Sequence, residues 1–403
     1  MIEDDAYRAS SQYRYWSYTK ESLSRIRHNT NDLASERVRA AFRRAQTAAK
    51  TSRNGAADSN TDADANVDNE KTQLSPDVGE DLVEIQTLTV DEELKIVEWG
   101  CQKIMDMGEA MNPRIPTAIV ATAIQYLRRF YLTNSPMTYH PKQIMMCALY
   151  LATKSDHFYI SLPRFISELA NVSEDNVKAP EFLLLQGLRF TLDVRHPMKG
   201  LQGGHIEMNE MAEEGLIRGI KGERRDREKR IGAAADQAKE LLATAAQMTD
   251  AYFLFTPAQI WLGAVMVADR ELVERYLDAK IDGLRKLPSG MLPVNDAEEE
   301  KAREAFRTKL LATISSCASL LEDYKSPDND AASRKEMKRI GKKLTVCQNP
   351  EKVDIVAVAR AKAAEKREGD ASDKEAKAKK RRLEREKSAR DADVFGPDLR
   401  DSK

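Results

Sequence analysis

The residues with the most chemical potential in this 403-residue sequence stand at the end of one apolar run. CALYLATKSDHF, residues 147–158, is built of apolar and small residues up to Lys154, with Asp156 and His157 just behind it. A lysine, a carboxylate and an imidazole so close together could pair charges or move a proton. Nothing nearby completes a catalytic set. His28, His140, His196 and His205 fall in separate segments, and no His-Glu-x-x-His, P-loop or kinase signature accompanies them. No catalytic residue, metal site or cofactor is therefore expected. By residue type alone, Lys154 is a lysine favoured at a helix C-terminus, and His140, before Pro141, is a helix-start residue. The glycines of GLQGG, residues 200–204, are too sparse to cradle a phosphate. Glu181 opens a second apolar run, FLLLQGLRF, and taken alone reads as a solvated residue at a helix start. Opposite charges on two adjacent apolar helices must pair if both are buried, because isolated buried charge is very costly.

The elements that would position these residues read as helices. Thr19 can cap a helix that continues through LASERVRAAFRRAQTAAK. Residues 51–88 are rich in Asn, Asp, Ala and Ser and read as a disordered acidic insert. From about residue 90 to 347 helical periodicity prevails, with Leu94, Val97, Cys101, Ile104 and Met105 on one stripe and Asn112-Pro113 ending it. Pro116 suits the start of the next helix. The spacing Pro116, Ile119, Ala123, Ile124 returns as Pro257, Ile260, Ala264, Val265, which suggests a duplicated helical domain. Beyond residue 350 the chain is charged without an apolar stripe.

Lys+Arg 64 against Asp+Glu 65 leaves a net charge of −1, so no global attraction to nucleic acid or to a membrane is expected. Cys101, Cys147, Cys317 and Cys347 are far apart, which suggests reduced thiols rather than a zinc site or a disulfide framework. The opening MIEDDAYRASSQYRYW has no apolar signal region and no run is long enough to span a bilayer, so a soluble intracellular protein is expected.

Three blocks carry a resemblance. YLRRFYLTNSPMTYHPKQIMMCALYLATKSDHF, residues 126–158, resembles the first cyclin box of the cyclin family. Ser10-Ser11-Gln12 with Arg14 and Trp16 is similar to the N-terminal signature of the H-type branch, and MTDAYFLFTPAQI, residues 248–260, to the opening of its second box. The resemblance implies an all-α fold of two tandem five-helix cyclin-box repeats with flanking N- and C-terminal helices. The implied layout is an N-terminal segment and helix at 1–50, the acidic insert at 51–89, a first cyclin box at 90–195 and an inter-repeat link at 196–232. A second repeat at 233–330, a C-terminal helix at 331–348 and a basic, charged tail at 349–403 complete it.

By the same resemblance the chain is a non-catalytic regulatory subunit that binds and activates a cyclin-dependent kinase. That kinase acts on the activation loops of other such kinases and on the RNA polymerase II C-terminal domain. Lys154 and Glu181 would grip the backbone at the start of the kinase's regulatory helix, with Leu151, Leu185, Phe190 and Leu192 around them and Trp16 extending or bracing the face. Implied partners are the kinase catalytic subunit, a RING-finger assembly subunit and the core of transcription factor IIH; no direct nucleic-acid or membrane partner is implied. Nuclear localisation follows, with Lys379, Lys380, Arg381 and Arg382 as an import signal. Arg128 departs from cell-cycle cyclins, which carry an aspartate there, and EELKIVEWG lacks their M-R-x-I-L docking patch. Two alternatives stay open: a cyclin C-like transcriptional cyclin, or a helical DNA and polymerase binder like transcription factor IIB.

Overall fold

The computed structural model describes residues 7–57, 85–169, 172–217, 223–284, 296–326 and 330–352. Residues 58–84 of the acidic insert, the tail from 353 and the Lys379–Arg382 cluster lie outside the described residues. The chain divides into two compact units, 1–37 with 87–348, and 38–86 with 349–403. In the second unit Val38, Phe42 and Ile85 are buried. All the residues of functional interest below belong to the first.

The described residues are helical and contain no strand, so the fold is all-α as expected. Short α1 (Ser11–Trp16) and long α2 (Lys20–Ala57) come first. A first group follows: α3 (Val90–Ala110), α4 (Thr117–Thr133), α5 (Pro141–Ser155), α6 (Leu162–Ser167), α7 (Glu174–Lys178) and α8 (Glu181–Gly187). The second group is α9 (Pro197–Glu213), α10 (Arg224–Ala243), α11 (Ala245–Met248), α12 (Ala251–Leu254), α13 (Pro257–Ala268), α14 (Arg270–Leu284) and α15 (Asp296–Glu322), with α16 (Ala331–Gln348) last.

Local chemistry sets the boundaries. Thr19 Oγ1 accepts from Ser22 N–H (3.2 Å) and caps α2. His140 Nδ1 accepts from Lys142 N–H (3.0 Å) ahead of Pro141, as its position before a proline suggests. Thr89 with Glu92, and Thr256 with Gln259, form capping boxes at the starts of α3 and α13.

Each group closes its own core. Cys101, Ile124, Leu127, Phe130, Ala148, Phe165 and Leu184 are buried together in the first. Ile231, Ala238, Leu242, Trp261, Val265, Leu272 and Leu321 are buried together in the second. The repeated proline pattern marks α4 and α13, the helices whose small residues Ala123 and Ala264 are fully buried at the middle of each cluster. All four cysteines are free and buried, and burial pushes the Cys147 thiol up to about 12, well away from reactive thiolate.

Three expectations need correction. The helix begun at Thr19 continues through residues 51–57, which the sequence assigned to the insert. At the insert's other end Leu88 is 1% exposed and its carbonyl accepts from Asn31 Nδ2 (2.9 Å), so that end is packed rather than loose. The supposed link at 196–232 holds α9 and the start of α10, and Leu201, Met208, Ala212, Ile217 and Ile231 are buried in the second core. Its glycines are a seat for a ring. A methyl group added at Gly200 or Gly204 would come within 2.5 Å of the Trp261 indole. Of the basic run at 222–230, residues 223–230 are described and largely solvent-facing, balanced by acids as expected, with Arg224 paired to Glu213 and Glu228 and half-buried Arg230 to Asp269 and Glu271.

Candidate functional site

Lys154 lies in the last turn of α5 and Glu181 is the first residue of α8. The two side chains form an ion pair. They are 40% and 28% exposed, so the pair stands at the surface and not in the interior, and the burial argument for pairing does not apply. An exposed pair contributes about 0–1 kcal/mol to stability. Its importance is therefore directional: the Lys154 ammonium is held 5.1 Å from the Tyr150 ring centroid, with donors to spare for a partner.

Apolar residues lie near the pair along the chain. Leu151, one turn before Lys154, is buried; Leu185 and Leu192 are half-buried. Phe190 is 62% exposed, and its ring meets that of Phe182, 64% exposed, edge to face at 6.2 Å between centroids. Tyr159, behind Lys154, is 86% exposed. Phe182, Tyr159 and Tyr15 carry no signal in a sequence where apolar runs read as core; a half-turn of difference in facing separates Phe182 from buried Leu184.

Backbone geometry aims Phe190. Arg189 and Phe190 have φ of 53° and 54°, and Phe190 N–H bonds back to the Leu185 carbonyl (2.9 Å), closing α8. Two left-handed non-glycine residues cost about 1–3 kcal/mol each. The outcome is that Leu188 is fully buried while Phe190 faces solvent.

Trp16 sits beneath this surface. It is 1% exposed, donates from Nε1 to Thr191 Oγ1 (2.9 Å) and carries the Arg129 guanidinium 5.1 Å over its ring. It thus holds the end of α1 against the segment that follows α8. The rest of the N-terminal block works with it: Ser10 Oγ accepts from Tyr13 N–H (3.2 Å), and Gln12 Oε1 accepts from Arg195 N–H (2.7 Å) and an Arg129 N–H (3.2 Å). Burial, above all, lowers Arg129 to about 10.

A second polar cluster joins the two groups of helices. Asp250 receives both arms of Arg27 (2.7 and 2.6 Å) and one of Arg128 (2.8 Å), whose other arm donates to the Met248 carbonyl (2.7 Å). Burial alone would raise the Asp250 carboxyl, but the two guanidiniums outweigh it and hold it below the ordinary range. Arg128, the residue that departs from cell-cycle cyclins, thus ties α4 to the second group and to α2. Half-buried His196 shares Thr122 Oγ1 (2.9 Å) and the Tyr252 hydroxyl (3.0 Å), while Thr122 donates to Asp156 (2.7 Å).

Comparison with known proteins agrees with this architecture. The family described as Cyclin C-terminal domain matches residues 196–322. That match begins where α9 begins, in the region the sequence had suggested was a link. Cyclin CCL1 of Saccharomyces cerevisiae is 33% identical over 284 residues, which are 70% of this chain and 62% of that protein. Cyclin mcs2 of Schizosaccharomyces pombe is 27% identical over 347 residues, 86% of each chain.

The chain is similar to cyclins.

Its likeness is to the H-type branch. Cyclin-H of Xenopus laevis is 30% identical over 194 residues, 46% of this chain and 55% of the relative. The chain thus spans 62% of the budding-yeast relative and just over half of the frog one. Among solved structures, a chain of the CAK complex of Chaetomium thermophilum bound to ATP-gamma-S aligns with a TM-score of 0.64 at 29% identity, covering 91% of this chain and 96% of that one. A chain of the yeast TFIIK (Kin28/Ccl1/Tfb3) complex aligns with a TM-score of 0.52 at 27% identity, covering 78% and 99%.

Proposed function

We propose that this chain is a cyclin, the regulatory subunit of a cyclin-dependent kinase of the CDK-activating type, without catalysis of its own. The observation that carries the reading is the Lys154–Glu181 pair held on two helix ends at an open, aromatic-rimmed surface. A protein kinase needs its strand lysine paired with a glutamate of its regulatory helix before ATP phosphates are correctly held. A rigid surface that fits only the helix-in arrangement shifts the kinase toward it, by no more than its preference for that state.

In this reading Lys154 donates to backbone carbonyls at the kinase helix and Glu181 accepts from its free N–H groups. Leu151 supports the pair from beneath, while Leu185, Phe190 and Leu192 supply apolar contact and Trp16 holds the surface in place. The likeness to chains of CAK and TFIIK assemblies supports a RING-finger subunit as third member, association with transcription factor IIH, action on kinase activation loops and the polymerase tail, and work in the nucleus.

The test is capture from a nuclear extract of the source organism by wild-type cyclin and by Lys154→Ala/Glu181→Ala, with kinase activity assayed on a polymerase-tail peptide. Wild type is expected to bring down the activity and the double variant to lose most of it. Equal activity with both would place kinase docking elsewhere.

A further inference from the structure

We propose that Tyr15 and Phe182 extend the kinase-docking surface into one strip of rings running from α1 to α5, an inference that rests on the kinase-binding function proposed above. The strip is continuous. Tyr15, 43% exposed, lies 6.0 Å from the Arg189 guanidinium; Phe190 follows Arg189 directly; Phe190 meets Phe182 at 6.2 Å; and Phe182 adjoins Glu181, which holds Lys154.

Leu188 and Leu184, neighbours on the same segment, are fully buried, so the segment has an inward face that the two phenylalanines do not use. Exposed large apolar groups in a contiguous patch mark interaction surfaces. The rings are also held firmly. Trp16, next to Tyr15, is anchored through Thr191, and the same cation stacks on both, since Arg189 lies 5.4 Å over the Trp16 ring. Phe190 is fixed by the backbone turn that closes α8. A pre-ordered strip of this kind loses little side-chain freedom on binding.

Charge and continuity identify the occupant. One end of the strip carries the Lys154–Glu181 pair, suited to the polar backbone at a helix end, and the other carries the Arg189 cation. The fitting partner is the kinase's regulatory helix with the segment leading into it, presenting apolar side chains to Phe182 and Phe190 and a carboxylate to Arg189. Tyr15 then gives α1 a direct contact, while buried Trp16 is the positioning residue.

The test uses the kinase subunit that co-purifies with the wild-type cyclin, expressed and purified, with Kd measured by calorimetry against the full-length cyclin. Tyr15→Ala and Phe182→Ser are each expected to weaken binding about tenfold, and the two together about a hundredfold, with unchanged melting temperature. Arg189→Glu is expected to weaken it by about tenfold as well. If Lys154→Ala/Glu181→Ala loses binding while Tyr15→Ala and Phe182→Ser stay within about twofold of wild type, the strip is refuted and the docking function stands. If Arg189→Glu binds as well as wild type or better, the carboxylate assigned opposite it is refuted. If no kinase binds folded wild type, the function and the strip fall together.

Discussion

Replacing Asp250 by asparagine keeps the shape of the side chain and removes the charge that Arg27 and Arg128 share. The arginines are 14% and 8% exposed in their side chains and Asp250 is 27% exposed, so most of the field is shielded from solvent. Removing one partner of a buried ion pair costs about 3–5 kcal/mol; with the partial exposure of Asp250, about 2–4 kcal/mol is expected here. At roughly 2–4 °C per kcal/mol for a domain of this size, the melting temperature should fall by about 5–15 °C. Thermal unfolding followed by circular dichroism at pH 7 and moderate salt reads this directly. Asp236→Asn, at an exposed carboxylate of α10, is the control and should change the melting temperature by less than about 2 °C. If Asp250→Asn behaves like that control, the clasp between α2, α4 and the second group contributes nothing, and the contacts of Arg128 are incidental.

Three further outcomes follow from the same contacts. Gly204→Ala should lower the melting temperature by forcing Trp261 out of its seat, whereas Gly203→Ala, with nothing within 4 Å of the new methyl, should raise it, helix stabilisation contributing up to about 1 kcal/mol; like signs for the two would refute the seat. Burial first, then Arg129, lowers His196 from 6.5 to about 4. A depressed folded value means that stability is full above the unfolded value and is lost as pH falls toward the folded one. About 3 kcal/mol should therefore disappear between those pH values, and His196→Asn should flatten that part of the pH–stability curve. Trp16→Phe keeps the packing but loses the bond to Thr191, so it should cost about 1 kcal/mol and weaken kinase binding only slightly, while Trp16→Ala should cost about 3–5 kcal/mol; a stability-neutral Trp16→Ala would contradict the brace.

What the sequence could reveal depended on how local each signal is. Thr19, His140 and Pro116 act within one turn, and all three stand where local chemistry places them. The proline echo survived because Ala123 and Ala264 permit the close packing at the centre of each core. The Lys154–Glu181 pair was found through resemblance, but the physical reason offered for it, burial, was wrong: the pair is exposed. The resemblance implied a link at 196–232, where Gly200, Gly203 and Gly204 would depress helix propensity. Packing of α9 on Trp261 overrides that, and no local pattern shows it. Asp250 and Arg128 meet across 122 positions, beyond the reach of any spacing rule. Phe182 and Phe190 face outward only because of where α8 lies and how it ends, which a run of apolar letters does not encode.

Reconstitution with the purified kinase subunit tests kinase activation by the Lys154–Glu181 surface most directly. Phosphorylation of a polymerase-tail peptide should rise strongly when the wild-type protein is added and hardly at all with Lys154→Ala/Glu181→Ala of equal melting temperature. Equal activation by the two proteins, or none by folded wild type, would contradict it.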